Sequence, residues 1–493
     1  MFYVLFMKHR SLLAALVAVL FFSCLPKNEV INPSAPSGRF STDIKPIFDR
    51  NCNSSDCHGG TPHGYAGGMN LTTYKGVFDG SRFGAAVVSG SPFMSQLVQA
   101  INQTDTDISP ISSSVMPVGR DLLSAADVQT IVSWIRDGAR DDDGSLPFTK
   151  PEPATKLFFS SQSVDLVGII DPATGLITRY VSVGNPLPLT SPPQAPHYVQ
   201  IDDAGQYYYV TLITANLLRK YDASTNQLVG QVHVGTSPAH VVITHDGTKA
   251  YVTNFDLTVG RAIAVNTTTM TVLDTIRSAP FMRATHGARL SHDGQYLYLG
   301  NNGTDLVTVV NTANDSIVTQ IPVAGDVPPF GSFTYKPYQI AVRGDDRFIY
   351  VTLNGRGLVS VIERNGDQFT VRDTIPVGVK PLQCEVTPDQ RYLYVCNQGS
   401  GTVSVIDAQS NSFLTTVSDV GKQPHGVDVS NDSRTVYVTC ENQVGSDPPH
   451  HPVVGSKVPG FVVFIDVGTQ RVFRKIEVGA FAAGISVYPG AGN

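Results

Sequence analysis

The stretch "CNSSDCH" at residues 52–58 sets two thiols and an imidazole close together in the chain. Three kinds of chemistry are open to that set. Two cysteines followed at once by a histidine can hold haem covalently: the thiols form thioethers with the vinyl groups, and the adjacent imidazole takes the iron. The same pair could instead close a short disulfide, with His58 a bystander. It could also clip a metal, although no second Cys/His pair lies nearby to complete a zinc site. The common haem spacing is C-x-x-C-H, whereas four residues separate Cys52 from Cys57. A haem iron held this way commonly takes a soft thioether on its other side, which raises its potential. Met116 precedes a proline and a helical segment and is the first candidate; Met69 and His63, nearer in sequence to the proximal histidine, are its rivals.

Helical patterns flank the pair. "STDIKPIFDRNC" puts Ile44, Ile47 and Phe48 at helical spacing and runs straight into Cys52. "LLSAADVQTIVSWIRDGA" starts with Ser124 as a cap and Asp127 at the capping-box position, then lays Val128, Ile131, Val132 and Ile135 along one face before Gly138. The block "I.PIF...C....CHG", "GGMNL", "VSGSPFMSQL", "MP" and "LSAADVQTIVSWIRDGA" resembles the mono-haem cytochrome c domains common in environmental bacteria, over about 100 residues. The resemblance implies one covalent haem c anchored by Cys52 and Cys57, with His58 and Met116 as axial ligands. It departs from the family in the wider cysteine spacing.

A different rhythm fills the rest of the chain. Six segments beginning at Pro196, Pro238, Thr285, Pro337, Pro381 and Pro424 each read as an alternating strand, a polar turn and an aromatic strand, and most continue into two more strands. Four strands repeating every forty to fifty residues is the pattern of a β-propeller blade. "AAGISVYPG" near the C-terminus reads as an inner strand with nothing after it, and residues 156–184 as three strands lacking an inner one. Joining them closes the ring at seven blades and removes an open edge. The words around Tyr209, Tyr251, Tyr350, Tyr394 and Tyr437 resemble the YVTN family of bacterial seven-bladed propellers, a likeness that speaks for the fold more than for any activity. The only tryptophan, Trp134, lies outside this region, which disfavours WD-repeat and tryptophan-docked quinoprotein propellers. The fold class expected is therefore a small all-α cytochrome c-like domain followed by an all-β seven-bladed propeller.

Propeller topology puts the connection into each first strand on the same face as the connection from second strand to third. His197, His286 and His425 stand at equivalent starts of blades 1, 3 and 6, with His240 one residue out of phase in blade 2; the long insertion carrying His450 and His451 belongs to that face. Two readings apply: a histidine-lined site for an additional metal or second cofactor, or a repeat residue that caps the channel by hydrogen bonds. His245 and His292 fall in opposite-face turns and are expected to be solvated. Cys384 and Cys396 sit on neighbouring rungs, an awkward geometry for a disulfide, and with Cys440 the odd count leaves at least one free thiol if no bridge goes elsewhere. No serine-hydrolase elbow, phosphate-binding glycine loop or carboxylate pair stands out, so catalysis by the propeller is left open.

The first 24 residues read as a lipoprotein signal: "MKHR", a short apolar run, then Ser23 before Cys24, which would become the acylated first residue. Residues 25–40 read as a tether, 41–148 as the cytochrome-like domain, 149–155 as a linker and 156–493 as the propeller. With 35 basic against 41 acidic residues and no basic run, nucleic acid is not an expected partner. The expected setting is extracytoplasmic, lipid-anchored to a bacterial membrane, where c-type haem is attached. The expected partner is a redox protein or a small redox molecule. A scaffold propeller with a disulfide-closed N-terminal domain is the non-redox alternative.

Overall fold

The computed structural model describes residues 38–59, 67–82, 84–103, 105–110, 115–149, 155–325, 333–444 and 458–488. Cys24, His63, His450 and His451 lie outside them.

Among the described residues, helical turns at Phe40–Ile44 and Pro92–Met94 and four α-helices build the first domain: α1 (Lys45–Asn51), α2 (Tyr74–Phe78), α3 (Gln96–Ile101) and α4 (Ala125–Arg136). Their apolar positions meet in one core of Ile44, Ile47 and Phe48 with Val77, Phe78, Val98, Ile131, Val132 and Ile135, and Trp134 joins it. α4 begins as its sequence dictates, with the Ser124 hydroxyl accepting from the Asp127 amide at 3.1 Å. The Asp127 carboxylate does not complete the expected capping box; it takes the Arg50 guanidinium at 3.1 Å and so ties α4 to the end of α1. Gly138, at φ 102°, follows the helix in a conformation that favours glycine.

The remaining strands form seven four-stranded sheets. Blades 1 to 6 have inner strands Pro196–Ile201, Pro238–Ile243, Thr285–Leu290, Pro337–Val342, Pro381–Val386 and Pro424–Val429. In blade 7 the C-terminal strand Ala482–Tyr488 is innermost and pairs with Lys156–Ser161, which is followed outward by Leu166–Asp171 and Leu176–Ser182. The ring is thus closed by its two ends, leaving no inner edge unpaired. Inner strands are almost wholly buried, whereas outer strands such as Leu228–His233 alternate between half-buried and exposed.

In every blade the pairing of the inner strand shifts register near its start. Such a bulge leaves a backbone amide without a ladder partner and re-aims the neighbouring side chains. The threonine of the repeated "YVTN"-like word repairs the loss. Thr253 Oγ1 accepts from the His240 amide at 3.0 Å and donates to the His286 carbonyl of the next blade at 2.5 Å. Thr211 and Thr352 do the same from blades 1 and 4, and Ser160 from blade 7. The tyrosine of the word also reaches onward: Tyr251 bonds Asp315, Tyr350 bonds Asn411 and Tyr394 bonds Gln470, each in the following blade. The repeated word is therefore a blade-to-blade fastening.

This explains two cysteines. Cys396 stands at the threonine position of blade 5, its Sγ 3.6 Å from the Gly426 carbonyl. Cys440 stands where blades 2, 3 and 5 have asparagine, its Sγ 3.2 Å from the Val420 carbonyl. Cys384 opposes Val395, one rung from Cys396, and all three cysteines are buried and outside any disulfide.

The two domains touch along blade 7. Ala85 and Val88 pack among Leu157, Leu176 and Tyr180, Ser89 bridges to Arg179, and Phe148 belongs to both cores.

Candidate functional site

The cysteine loop is built as a continuation of α1. The Cys52 and Asn53 amides both donate to the Phe48 carbonyl, ending the helix, and the chain then turns so that the His58 amide donates back to the Cys52 carbonyl at 3.1 Å. The Ser54 carbonyl accepts from the Cys57 and Gly59 amides. The wider spacing thus forms its own hydrogen-bonded turn, which returns His58 to the end of the helix. Gly59 must be glycine, because a Cβ there would lie 2.5 Å from the Ser54 carbonyl oxygen. Cys52 and Cys57 are both free thiols, so the disulfide reading is not the one this structure adopts. Burial, and then the neighbouring Cys57, push the Cys52 thiol up to about 11.

His58 is held through Nδ1, which lies 3.1 Å from the Met69 carbonyl oxygen. A carbonyl can only accept, so Nδ1 carries the proton and Nε2 is left as a lone pair. Burial lowers the His58 pKa and keeps the ring neutral, the form that ligates metal. Met69 therefore works through its main chain, on the side of the ring opposite Nε2. That placement disfavours its thioether as the ligand facing His58 across a haem.

Met116 lies on a segment fixed from two directions. Its amide donates to the Ala100 carbonyl at 2.9 Å, and Arg120, four residues on, donates to the Ser54 hydroxyl at 2.8 Å. The Met116 segment is thereby fastened to the cysteine loop itself, and the Met116 side chain is exposed. Cys52 belongs to the same apolar core as Ile47, Phe48, Leu71, Val98 and Ile101, with Met69, Ile108 and Leu123 packed against that core. A free thiol pair, a histidine with its tautomer set and an apolar surround fit a haem c.

The second group converges on the propeller axis. His197, His286 and His425 are joined by His240, and all four are at least 95% buried, so they form an enclosed chamber rather than an open mouth. His240 holds the strand position of Tyr198 and Gln339, one residue beyond that of the other three histidines, and its ring still reaches them. Nε2 of His197 and Nε2 of His286 are 3.4 Å apart, and ligand atoms of His197, His240 and His286 lie within 4.8 Å of one another. The ring centroids of His197 and His425 are 5.2 Å apart. Tyr338 stacks on His286 at 3.7 Å and Tyr198 lies against His240 at 4.0 Å. Gln162 Oε1 meets His197 Nδ1 at 2.9 Å, and Glu441 meets His425 Nδ1 at 2.6 Å. Burial, and then neighbouring His425, push His197 down to about 3, and burial drives His240 and His286 well below the usual range. His245 and His292 are exposed, as expected.

Sequence reasoning passed over Gln162, Gln339 and Glu441, which orient these rings. Nothing in their spacing marks them; only the fold brings them to the axis. Arg120 and the Met69 carbonyl are likewise invisible as motifs.

The geometry defines a two-part protein, a cytochrome c-like helical domain and a seven-bladed propeller. The chain belongs to the family described as "Lactonase, 7-bladed beta-propeller", which matches residues 178–337 and 328–430, just over half its length. Residues 55–117 match "Planctomycete cytochrome C", a span that holds Cys57, His58 and Met116 and begins after Cys52. No curated protein matches. Among solved structures, a functionally unknown protein from Desulfotomaculum acetoxidans is 13% identical with a TM-score of 0.53, over 67% of this chain and 98% of that one. The periplasmic gluconolactonase of Pseudomonas aeruginosa is 19% identical with a TM-score of 0.52, over 68% and 99%. A putative 6-phosphogluconolactonase from Bacteroides fragilis is 13% identical with a TM-score of 0.51, over 68% and 99%. At these identities the likeness is one of fold.

Proposed function

We propose that the protein is an extracytoplasmic, lipid-anchored c-type cytochrome that passes single electrons, with the propeller as its binding or docking platform. The observation that carries this reading is the pairing of two free thiols with a histidine whose Nδ1 proton is committed to the Met69 carbonyl. Cys52 and Cys57 would anchor one haem, and His58 Nε2 and the Met116 thioether would ligate its iron. The haem supplies the one-electron chemistry. The protein's part is to fix the His58 tautomer, to surround the group with apolar residues that limit water, and to hold the Met116 segment through Arg120. Ser23–Cys24 after a short apolar run supports the lipid anchor, and the outward setting follows from that signal. A partner would be a redox protein or a small redox molecule.

The lactonase names of two similar structures belong to proteins at most 19% identical, so no lactone chemistry is assigned to this propeller. A second reading, an oxidoreductase with its own redox centre in the propeller, is favoured by one observation: the convergence of four buried histidines on the axis.

The test is a denaturing pyridine haemochrome spectrum of the chain matured with haem-attachment machinery. Covalent haem equimolar with protein is expected. A well-folded chain without covalent haem, where a control cytochrome matures, would return the cysteine pair to a structural role and favour a non-redox scaffold.

A further inference from the structure

The histidine chamber lies in the propeller, takes no part in holding haem, and is built from four separate blades. Its hydrogen bonds settle where the protons are. Gln162 offers an amide oxygen to His197 Nδ1, and Glu441 offers a carboxylate to His425 Nδ1. Both oxygens only accept, so both Nδ1 atoms donate, and on the neutral His197 ring Nε2 is left as a lone pair. Gln339 stands 3.3 Å from His240 Nδ1, and turning its amide over would present the otherwise unpartnered Oε1 to that nitrogen, leaving a second lone pair at Nε2. Among the described residues, Nε2 of His240 and Nε2 of His425 have no hydrogen-bond partner. A buried nitrogen left unmet keeps the desolvation cost of its burial without the bond that would offset it.

A hydrogen bond between His197 and His286 would account for only one of these contacts, and 3.4 Å is long for it. A metal ion accounts for more. Two imidazole nitrogens bound to one ion at about 2.0–2.1 Å in tetrahedral geometry stand roughly 3.3–3.4 Å apart, the separation found between the two Nε2 atoms. An imidazole bonded behind to an amide or carboxylate oxygen is also the usual form of an oriented metal ligand. The rings are further held by Tyr198 and Tyr338.

We propose that this chamber is a mononuclear site for a divalent transition-metal ion of the copper or zinc class. His197, His240 and His286 are its ligands, and His425 is the nitrogen available to a fourth position. All-imidazole donors select these ions over magnesium or calcium, which take oxygen. Gln162 and Gln339 are positioning residues, acting through His197 and His240.

The test is metal analysis of the purified full-length protein, then chelator stripping and titration with Zn(II) and with Cu(II). Copper or zinc equimolar with protein is expected, with nitrogen hyperfine structure in the electron paramagnetic resonance spectrum of the copper form. His197→Ala and His286→Ala should abolish uptake while the haemochrome spectrum stays unchanged. Gln162→Leu, which leaves the imidazoles in place, should weaken binding by about 10–100-fold. Cys57→Ser, which disrupts haem attachment, should keep the metal, so failure of the haem reading and failure of this one are distinguishable. If the histidine variants do not fold, Gln162→Leu decides, and unchanged affinity there overturns the proposal. A folded, stripped protein that takes up neither ion, or a copper spectrum without nitrogen coupling, also overturns it.

Discussion

At the scale of single residues, the two methionines near the cysteine loop have opposite jobs, and a substitution can tell them apart. Met69 serves through a carbonyl that any residue supplies, whereas Met116 would serve through sulfur. Met116→Ala is therefore expected to abolish the far-red sulfur-to-iron absorption of the oxidised protein and lower its potential, while Met69→Ala leaves both in place. A spectrum that loses the band only with Met69→Ala would reverse the assignment. Gly59 permits a second prediction. A methyl group there would collide with the Ser54 carbonyl, so Gly59→Ala should destabilise the first domain by about 1–3 kcal/mol, read as a lower thermal midpoint and poorer haem incorporation. The thiols and His58 were visible in the sequence because their chemistry needs those side chains in that order. The Met69 carbonyl was not, because a backbone acceptor leaves no trace in residue type. Arg120 was hidden because its partners, Ser54 and Asp56, lie more than sixty residues away.

At the scale of elements, the inner-strand bulge and the threonine beside it work as one unit. Thr253→Val keeps the shape but removes a hydroxyl that accepts one buried bond and donates another, leaving the His240 amide and the His286 carbonyl without that partner. The expected loss is about 1–3 kcal/mol in chemical denaturation, with Thr253→Ser much milder. Unchanged stability in Thr253→Val would mean the bond is incidental to blade packing. Blade 5 offers the reverse experiment, since Cys396 already occupies the threonine position with a weaker donor. Strand count, blade period and the closing of blade 7 were legible because alternation and repetition are written in side-chain polarity. The bulges were not legible: an extra residue in one strand changes register without changing composition. His240 is out of phase in the structure as in the sequence, standing where blade 1 has Tyr198, yet its ring meets those of His197 and His286.

At the scale of the whole molecule, the ring gathers polar groups from distant blades onto one axis, and the other end of that axis carries a different charge problem. A cavity of about 280 Å³ there is lined by Tyr198, Arg289, Glu385 and Asp428, from blades 1, 3, 5 and 6. Arg289 pairs with Glu385, and Asp202, Asp203 and Asp428 add further carboxylates to the same lining. Burial first, and then Glu385, raise the Asp428 pKa to about 7, although the Val487 amide donates to its Oδ2 at 2.7 Å. In the unfolded chain an aspartate titrates near 3.9. The folded state therefore binds a proton that the unfolded chain has lost across the interval from about pH 4 to 7, so its stability falls as pH rises through that window. Below it the contribution is fully present, and above it the folded ring carries an ionised Asp428 against its surroundings. Asp428→Asn keeps the size and an acceptor for Val487 but cannot ionise. Denaturation measured at intervals from pH 4 to 8 should show native stability declining relative to this variant through that window and running parallel above it. Parallel curves throughout would mean that Asp428 stays ionised in the folded ring, with Arg289 compensating both carboxylates.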